Sequence, residues 1–314
     1  MSVQATKQVL LGEAAATHAY QPRGVRAFAR DVARRPGGAA AAAMIVLLVL
    51  VAIFAPLLAP HNPDAISATN SLMPPSARHL LGTDSLGRDN LSRVIFGTRI
   101  ALEVALPSVI GAFVVGAALG LIAGYLGGLP DKLLVIAFDS LISFPAVILG
   151  LALLSLLGPS IKSVIFVIGL SLVPYYGRLV RAQTLSERKN QYVKAERSLG
   201  ASRVRVLRRH VLPNVLPPLL VIVAMDIPSA VIIEAGLAFL GLGVQPPTPD
   251  WGVILNDGFV DIGTSAWVIV GPVAALVIMT TAFTILGETM RDVLDPRQRP
   301  PRRGLPGRRQ RADA

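Results

Sequence analysis

The sequence predicts an all-α protein that crosses a membrane several times, and three observations lead to this fold class. Of its 314 residues, 53% are hydrophobic and only 16% are charged, a composition that a soluble domain cannot bury. The apolar residues are gathered into runs close to the length of about 20 residues that a helix needs to cross a bilayer. The Lys and Arg residues, which outnumber Asp and Glu and so give a net charge of +11, are concentrated between alternate runs.

Six apolar runs qualify as membrane spans. In chain order they are Ala39–Ala59, Ile100–Leu126, Leu133–Leu157, Ile161–Tyr176, Val215–Leu240 and Ala266–Leu286. The fourth run is short and is flanked by Pro159 and Pro174, but a span buried among other helices can be short. Prolines such as these and Pro145 are compatible with spans because neighbouring helices can satisfy the freed carbonyl groups. Gly116 and Gly120 form a small-xxx-small pair, which favours close helix packing.

The distribution of basic residues predicts the orientation. If the N-terminus is cytoplasmic, the segments on that side carry 25 of the 30 Lys and Arg residues and the segments on the other side carry five. This positive-inside asymmetry predicts an even number of spans with both termini in the cytoplasm. The predicted cytoplasmic segments are 1–38, 127–132, 177–213 and 287–314, and the predicted external segments are 60–99, 158–163 and 241–265.

The chain therefore divides into three parts. Residues 1–37 form a polar tail with a short interfacial helix predicted around Val25–Arg35, and residues 38–290 form the six-helix domain. Residues 291–314 form a basic tail, rich in Pro and Arg, that we expect to be disordered and to face lipid headgroups rather than nucleic acid. The first span has no small-residue cleavage site after it, so it is expected to be an uncleaved anchor.

No pattern in the sequence predicts catalysis or metal binding. The chain has no cysteine, and its histidines are scattered across loops on both sides of the predicted membrane without metal-ligand spacing. The run Gly82–Asp89 lacks the Lys followed by Ser or Thr of a phosphate-binding loop. It predicts instead the start of a short amphipathic helix, capped by Thr83 or Asp84. We expect a protein without catalytic residues, metal or cofactor of its own. The four histidines are His18, His61, His79 and His210.

Four carboxylates lie within or beside the predicted spans, at Glu103, Asp139, Asp226 and Glu234. A charge at the bilayer centre costs about 2.5–3.5 kcal/mol on insertion scales, so each needs a polar surrounding. No Lys or Arg lies in the same spans to pair with them. Two interpretations stay open, since the deeper three can line a translocation path or can form interhelical hydrogen bonds and subunit contacts.

The segment Gln191–Asn214 is strongly basic and lies between two apolar runs. Tyr192–Leu199 predicts one short helix, and Gly200 predicts a tight bend because glycine enters the left-handed region cheaply. Ser202 is a suitable cap for a second helix, and Pro213 predicts a turn into the next span. In that second helix, Val204, Leu207 and Val211 share one face. Apolar positions at this spacing indicate a surface that docks, rather than a basic loop on lipid headgroups.

Several stretches of the chain resemble one transporter family. Lys194-Ala195-Glu196, then Gly200, then Leu212-Pro213 is similar to the EAA loop of permease subunits of binding-protein-dependent ATP-binding-cassette importers. This sequence departs from that pattern at Lys194, Glu196 and His210. The further stretches are Arg209–Asn214, Leu81–Asp89 with Ser92-Arg93, Ala123–Gly128 and Phe239–Gly252, and they resemble the dipeptide, oligopeptide and nickel branch. The resemblance extends from about residue 40 to Pro296 and implies the type I importer permease fold.

The resemblance implies partners and places for them. A second permease subunit, two cytoplasmic ATPase subunits that hold ATP and Mg²⁺, and an external binding protein are expected, all at a bacterial inner membrane. The implied ATPase-coupling residues are Tyr192, Lys194, Ala195, Glu196, Leu199, Gly200, Ala201, Arg205, Arg209, His210, Leu212 and Pro213. The implied external loop is Gly241–Thr264, and its residues expected to face the binding protein are Gln245, Pro246, Pro247, Asp250 and Trp251.

The substrate stays open among dipeptides, longer peptides, glutathione and nickel, and a peptide is favoured because the spans hold no His or Met cluster suited to bare nickel. A different class of protein also stays open. In a carrier driven by an ion gradient and without ATPase partners, Asp139, Asp226 and Glu234 would bind the coupling ion. The long docking segment argues against that alternative.

Overall fold

The computed structural model describes residues 25–294, which are mostly helical and contain no β-strand. The predicted tails before residue 25 and after residue 294 lie outside the described residues. The helices are α1 (Val25–Ala33), α2 (Pro36–Ile53), α3 (Ala55–Leu58), α4 (Asn90–Leu126), α5 (Gly128–Ile142), α6 (Ala146–Leu157), α7 (Ile161–Glu187), α8 (Gln191–Ser198), α9 (Arg203–Val206), α10 (Leu212–Phe239), α11 (Trp251–Val260) and α12 (Trp267–Leu294). The short helix predicted around Val25–Arg35 is confirmed as α1.

Five of the described helices are long and apolar enough to cross a membrane, namely α2, α4, α7, α12 and the part of α10 from Pro218 to Phe239. A sixth crossing requires α5 and α6 together, and these two helices meet at an angle of 90°. The third predicted span, Leu133–Leu157, corresponds to this bent pair and is not one continuous helix. The break falls at Ser143–Pro145, where the proline disfavours helical geometry in the residue before it.

The fourth predicted span is longer than the apolar run. Helix α7 begins after Ser160, whose hydroxyl accepts a hydrogen bond from the amide of Ser163, and it continues through Pro174 to Glu187. The helix is longer than the predicted span, which ended at Tyr176, because it runs on into a polar, basic stretch that a hydropathy criterion excludes. Twenty-seven residues in a helix extend about 40 Å, which exceeds the bilayer core.

Helices α4 and α7 lie side by side with their backbones close together. A Cβ on Gly116 would lie 2.7 Å from the carbonyl oxygen of Val173, and a Cβ on Gly124 would lie 2.8 Å from Cβ of Thr184. Gly120, between them, faces Val180 in the same way. The contacts advance along both helices together, so the two run parallel. The predicted packing role of Gly116 and Gly120 is confirmed, and Gly124 extends the row.

Two regions lie at opposite ends of this helix pair. We call residues 188–211, which follow the C-terminal end of α7, the elbow. We call residues 60–99 and 240–266 together the cap, because they meet at the N-terminal end of α4 and the C-terminal end of α10. Helix α10 begins at the elbow and ends at the cap, so one rod connects the two regions.

Candidate functional site

The elbow contains two short helices around a glycine bend. Gly200 has a φ of +82°. Its amide donates to the carbonyl of Arg197 and the amide of Ala201 donates to the carbonyl of Glu196, both at 3.1 Å. These two bonds are those of a Schellman motif, which closes a helix on a left-handed residue. The predicted helix, glycine bend and Ser202 cap are confirmed, since the Ser202 hydroxyl accepts from the amide of Arg205.

The predicted turn at Pro213 is wrong. Residues Leu207–Val211 form one π-helical turn, and this turn joins α9 to α10 without a break. A proline ring collides with the carbonyl four residues before it in an α-helix, and a wider π turn immediately before Pro213 relieves that collision. The elbow is therefore rigidly continuous with α10 on one side.

The elbow packs on one face and exposes an apolar tip on the other. Val193, Val206 and Val211 are fully buried, whereas Leu199 is 85% exposed and Val204 is 62% exposed. The prediction that Val204 and Val211 share one face is wrong, because Val204 is exposed whereas Val206 and Val211 are buried. Exposed basic side chains surround the tip at Lys194, Arg197, Arg203, Arg205, Arg208 and Arg209.

Most of the predicted coupling residues lie on the open side of the elbow. Tyr192, Lys194, Ala195, Leu199, Gly200, Arg205, Arg209 and Pro213 are exposed, and Glu196, Ala201, His210 and Leu212 are half-buried. A Cβ on Gly200 would meet no atom within 4 Å. The tip therefore has free space around it, and a coupling role for these residues stays a prediction.

A polar network braces the base of the elbow. The side-chain amide of Asn214 lies 3.1 Å from Oε1 of Glu187, 3.0 Å from the Tyr192 hydroxyl and 2.9 Å from the carbonyl oxygen of His210. The Tyr192 hydroxyl also donates to Glu187. Burial and this bond to a carboxylate raise the pKa of Tyr192. The network joins α7, α8 and α10, so Tyr192 positions the elbow as well as lying on its surface.

Sequence reasoning missed Glu187, Asn214 and Arg188. The guanidinium of Arg188 donates to the carbonyl of Tyr125 at 2.9 Å and to that of Gly124 at 3.3 Å. These carbonyls belong to the last turn of α4, where a cation is favourable. The only sequence signal for these three residues was their polar character at the edges of the basic segment.

The three carboxylates assigned to a translocation path lie in different surroundings. Asp139 forms an ion pair with Arg178, and both side chains are about half exposed. Its basic partner comes from outside the predicted spans, because α7 extends past the fourth predicted span and carries Arg178 toward α5. Asp226 is half-buried near the hydroxyl of Tyr176. Glu234 is 1% exposed beside Asp250, so its carboxyl lines no open passage in this structure.

The cap is held by an ion-pair cluster that joins its two segments. The carboxylate of Asp84, which is fully buried, accepts from Nε of Arg88 at 2.6 Å and from a terminal nitrogen of Arg93 at 2.5 Å. Both guanidinium groups also reach Asp257, at 3.2 Å and 3.3 Å. Asp257 lies on α11, more than 160 residues away in the chain.

The helix predicted to begin at Thr83 or Asp84 begins instead at Asn90. Asp89 is its N-cap and accepts a hydrogen bond from the amide of Ser92 at 2.8 Å. Gly82 and Gly87 have φ values of +67° and +73°, and these left-handed residues fold the segment into a compact turn instead of a helix. Asp84 serves as an acceptor inside this turn.

Two of the residues predicted to face a binding protein are buried inside the cap. Trp251 and Asp250 are each 1% exposed. The indole nitrogen of Trp251 donates to the carbonyl of Val94 at 2.9 Å, and Asp250 caps α11. The prediction is wrong for direct contact by these two, whose role is to hold the cap together. Gln245, Pro246 and Pro247 are exposed, so a partner can reach them.

Two of the histidines that sequence reasoning treated as separate meet in the cap. His61 and His79 converge on Asp89. Burial disfavours the charged form of Asp89, but the hydrogen bonds from His79 and Ser92 outweigh it, so the pKa of this carboxyl lies below its usual value. No spacing rule links residues 61, 79 and 89, because the loop geometry alone brings them together.

Comparison with known proteins relates the whole chain to membrane transport components. Residues 116–300 match the family described as "Binding-protein-dependent transport system inner membrane component". Residues 26–75 match the family described as "N-terminal TM domain of oligopeptide transport permease C". These two matches together cover most of the described residues.

Relatives of similar length give the same result. The dipeptide transport system permease protein of Alkalihalophilus pseudofirmus is 38% identical over 80% of this chain and 83% of its own. The glutathione transport system permease protein of Pectobacterium atrosepticum is 36% identical over 79% of this chain and 83% of its own. The inward-facing methionine ABC transporter MetNI aligns with a TM-score of 0.52 at 19% identity, over 65% of this chain and 96% of that chain, which shows a shared fold.

Proposed function

The chain belongs to the family of binding-protein-dependent transport system inner membrane components, and we propose on this premise that it is one of two membrane subunits of an ATP-driven peptide importer. Two ATPase subunits, which hold ATP and Mg²⁺, and a soluble binding protein complete the proposed assembly. The observation that carries the proposal is the elbow: an exposed apolar tip on a braced base, at the end of the helices that also carry the cap.

In the proposed orientation the elbow and both termini face the cytoplasm and the cap faces outward. The 25 to five distribution of basic residues supports it. The exposed arginines of the elbow support it as well, because they would lie in the headgroup and cytoplasmic region. The buried charges inside the cap are paired with one another, so the outer side of the cap can face water.

The elbow is proposed to receive the movement of the ATPase. Leu199 and Val204 would enter an apolar groove on that subunit, since together they form the exposed apolar surface of the tip. The Asn214 network ties the base to α7, α8 and α10, so a displacement of the tip is transmitted and not absorbed. Coupling of this kind requires a firm element with two positions.

The cap is proposed to receive the binding protein. The exposed edge at Gln245, Pro246 and Pro247 is available for contact, and the Asp84 cluster holds α11, which follows this edge in the chain, against α4. Helix α10 ends directly beneath the cap, where the side chain of Asn256 donates to the carbonyl of Phe239 at 2.9 Å. The cap can therefore respond to a change in the tilt of α10.

A peptide is the proposed cargo. Relatives named for dipeptide transport support this class, and the glutathione permease of Pectobacterium atrosepticum, itself named for a tripeptide, supports glutathione as the alternative. The gradient-driven carrier is less well supported because Asp139 is ion-paired and Glu234 is enclosed. Neither residue has the open, unpaired carboxylate that a coupling ion needs.

Replacement of Gly200 by Glu tests the coupling role. It places a charged, bulky side chain at the tip on a backbone with φ of +82°. We expect normal membrane insertion, with loss of ATPase co-purification or of ATP-driven peptide uptake in vesicles containing the complete transporter. Gly158→Glu is the matched control, since Gly158 has φ of +79° and equally open surroundings at the far end of α6.

The two variants separate docking from backbone strain. If Gly200→Glu transports peptide and binds the ATPase like the wild type, the coupling role is refuted. If both glycine variants fail equally, strain alone accounts for the loss. Gradient-driven uptake by the purified chain in vesicles, without ATPase subunits, would support the carrier alternative instead.

A further inference from the structure

Three side chains from separate parts of the cap converge on one point. His61 lies just after the first span, His79 lies in the loop that follows, and Asp89 is the N-cap of α4. Nδ1 of His79 is 2.9 Å from Oδ1 of Asp89, and Nδ1 of His61 is 3.7 Å from the same oxygen. The three potential donor atoms all lie within 4.8 Å of one another.

We propose that His61, His79 and Asp89 form a binding site for a divalent transition metal, with Zn²⁺ as the ion that fits best. Two imidazole nitrogens and one carboxylate oxygen are a donor set that zinc sites use, with water in the fourth position. Zn–N bonds of about 2.0–2.1 Å hold neighbouring ligand atoms roughly 3.3 Å apart in a tetrahedron. The distances of 2.9 Å and 3.7 Å bracket that value.

The ligands are already held in place by their surroundings. His79 is 5% exposed and Asp89 is 3% exposed. The second oxygen of Asp89 accepts from the amide and the hydroxyl of Ser92, at 2.8 Å and 2.7 Å. The Ser92 hydroxyl also accepts from the backbone amide of His61 at 3.0 Å. Such outer contacts orient metal ligands and increase affinity.

One ring nitrogen that faces the carboxylate of Asp89, Nδ1 of His61, is buried without a hydrogen bond. Buried polar atoms are nearly always satisfied, so this nitrogen is in a position to take a further partner. A metal ion between the side chains satisfies His61 directly.

A route for the ion and its water exists on one side. A cavity of about 490 Å³ is lined by His61 together with Asp64 and Phe96, and the His61 side chain is 35% exposed. The opposite side is closed by the buried His79 and Asp89. A bound ion would link the end of the first span, the loop and the start of α4 to one another, and would thereby stabilise the cap.

The test uses the full-length chain, purified without a polyhistidine tag and reconstituted in lipid nanodiscs. Samples are equilibrated with Zn²⁺, dialysed, and analysed for bound metal and for the midpoint of thermal unfolding with Zn²⁺ or with EDTA. We expect the wild type to retain one equivalent of zinc more than His61→Ala and to unfold several degrees higher with zinc than with EDTA. His61→Ala leaves the hydrogen bond between His79 and Asp89 intact, so it is expected to fold.

The variant Asp64→Asn is the control, because Asp64 lines the same cavity without joining the cluster, and it should retain zinc like the wild type. A His61→Ala/His79→Ala double variant should also lose the visible ligand-field bands that Co²⁺ gives when it replaces zinc. If the histidine variants retain as much zinc as the wild type, or if zinc leaves the unfolding midpoint of the wild type unchanged, the proposed metal site is wrong.

Discussion

Replacing Asp84 by Asn should destabilise the cap strongly. Asp84 is fully buried and its carboxylate accepts two guanidinium hydrogen bonds, from Arg88 at 2.6 Å and from Arg93 at 2.5 Å. Arg93 is itself completely buried. With an amide at position 84, Asp257, at 3.3 Å, is the one carboxylate partner left to it within residues 25–294. Removing one partner of a buried ion pair costs about 3–5 kcal/mol, because the remaining charge is left without compensation.

The assay is thermal unfolding followed by tryptophan fluorescence in a Trp267→Phe background. Trp251, which is 1% exposed in the cap, is then the only reporter. We expect Asp84→Asn to lower the midpoint by on the order of 10 °C. Asp257→Asn should cost about 1–2 kcal/mol, since its carboxylate is partly exposed and both arginines keep Asp84.

Asp261→Asn is the matched control. Asp261 follows the same helix as Asp257 but takes no part in the ion-pair cluster, so its midpoint should stay within about 2 °C of the wild type. If Asp84→Asn unfolds at the wild-type midpoint, the reasoning is refuted, because the buried guanidinium groups would then be satisfied in some other way.

Two further substitutions test the helix packing and the elbow. Gly177→Val places Cβ 2.6 Å from Cε2 of the buried Phe138 ring, and this overpacking should lower the free energy of unfolding by about 1–3 kcal/mol. Gly111→Ala, with no atom near its Cβ, should unfold thermally like the wild type. Equal unfolding midpoints for the two variants would contradict the close packing of Gly177 on Phe138. Asn214→Leu removes the three contacts at the base of the elbow, so ATPase binding should persist while stimulation of ATP hydrolysis by the loaded binding protein falls. Gln183→Leu, an exposed polar position one helical turn before Glu187, is its control, and unchanged stimulation in Asn214→Leu would show that the brace is dispensable.

The elements predicted correctly from the sequence depend on local patterns. Apolar length located the long helices, and the Ser202 cap and the Gly200 bend follow from the preferences of single residues. These signals act over a few neighbouring positions, so they survive whatever the rest of the chain does. The packing of Gly116 and Gly120 was readable for the same reason.

Proline shows where such reasoning ends. Pro145 interrupts the third predicted span, whereas Pro107, Pro174 and Pro272 lie inside continuous helices. Whether a helix continues through a proline depends on how neighbouring helices satisfy the freed carbonyl groups. That information is not carried by the residues beside the proline.

The cap shows a second limit. Arg93 and Asp257 are 164 residues apart in the chain, and nothing near either residue identifies the other. Asp250 and Trp251 were expected to face the binding protein because the family resemblance places them in the external loop. Trp251 is buried against α4 and Asp250 lies beside Glu234 of α10, and a single sequence does not reveal such distant pairs.

The unbroken passage from the elbow through the π turn into α10 gives the molecule a lever. Twenty-eight residues of helix measure about 42 Å, so tilting this rod by about 10° at its lower end swings its upper end through about 7 Å. The upper end lies under Asn256 and Asp250. A small change of tilt at the elbow end of α10 is therefore enough to displace the cap end by about the size of one large side chain.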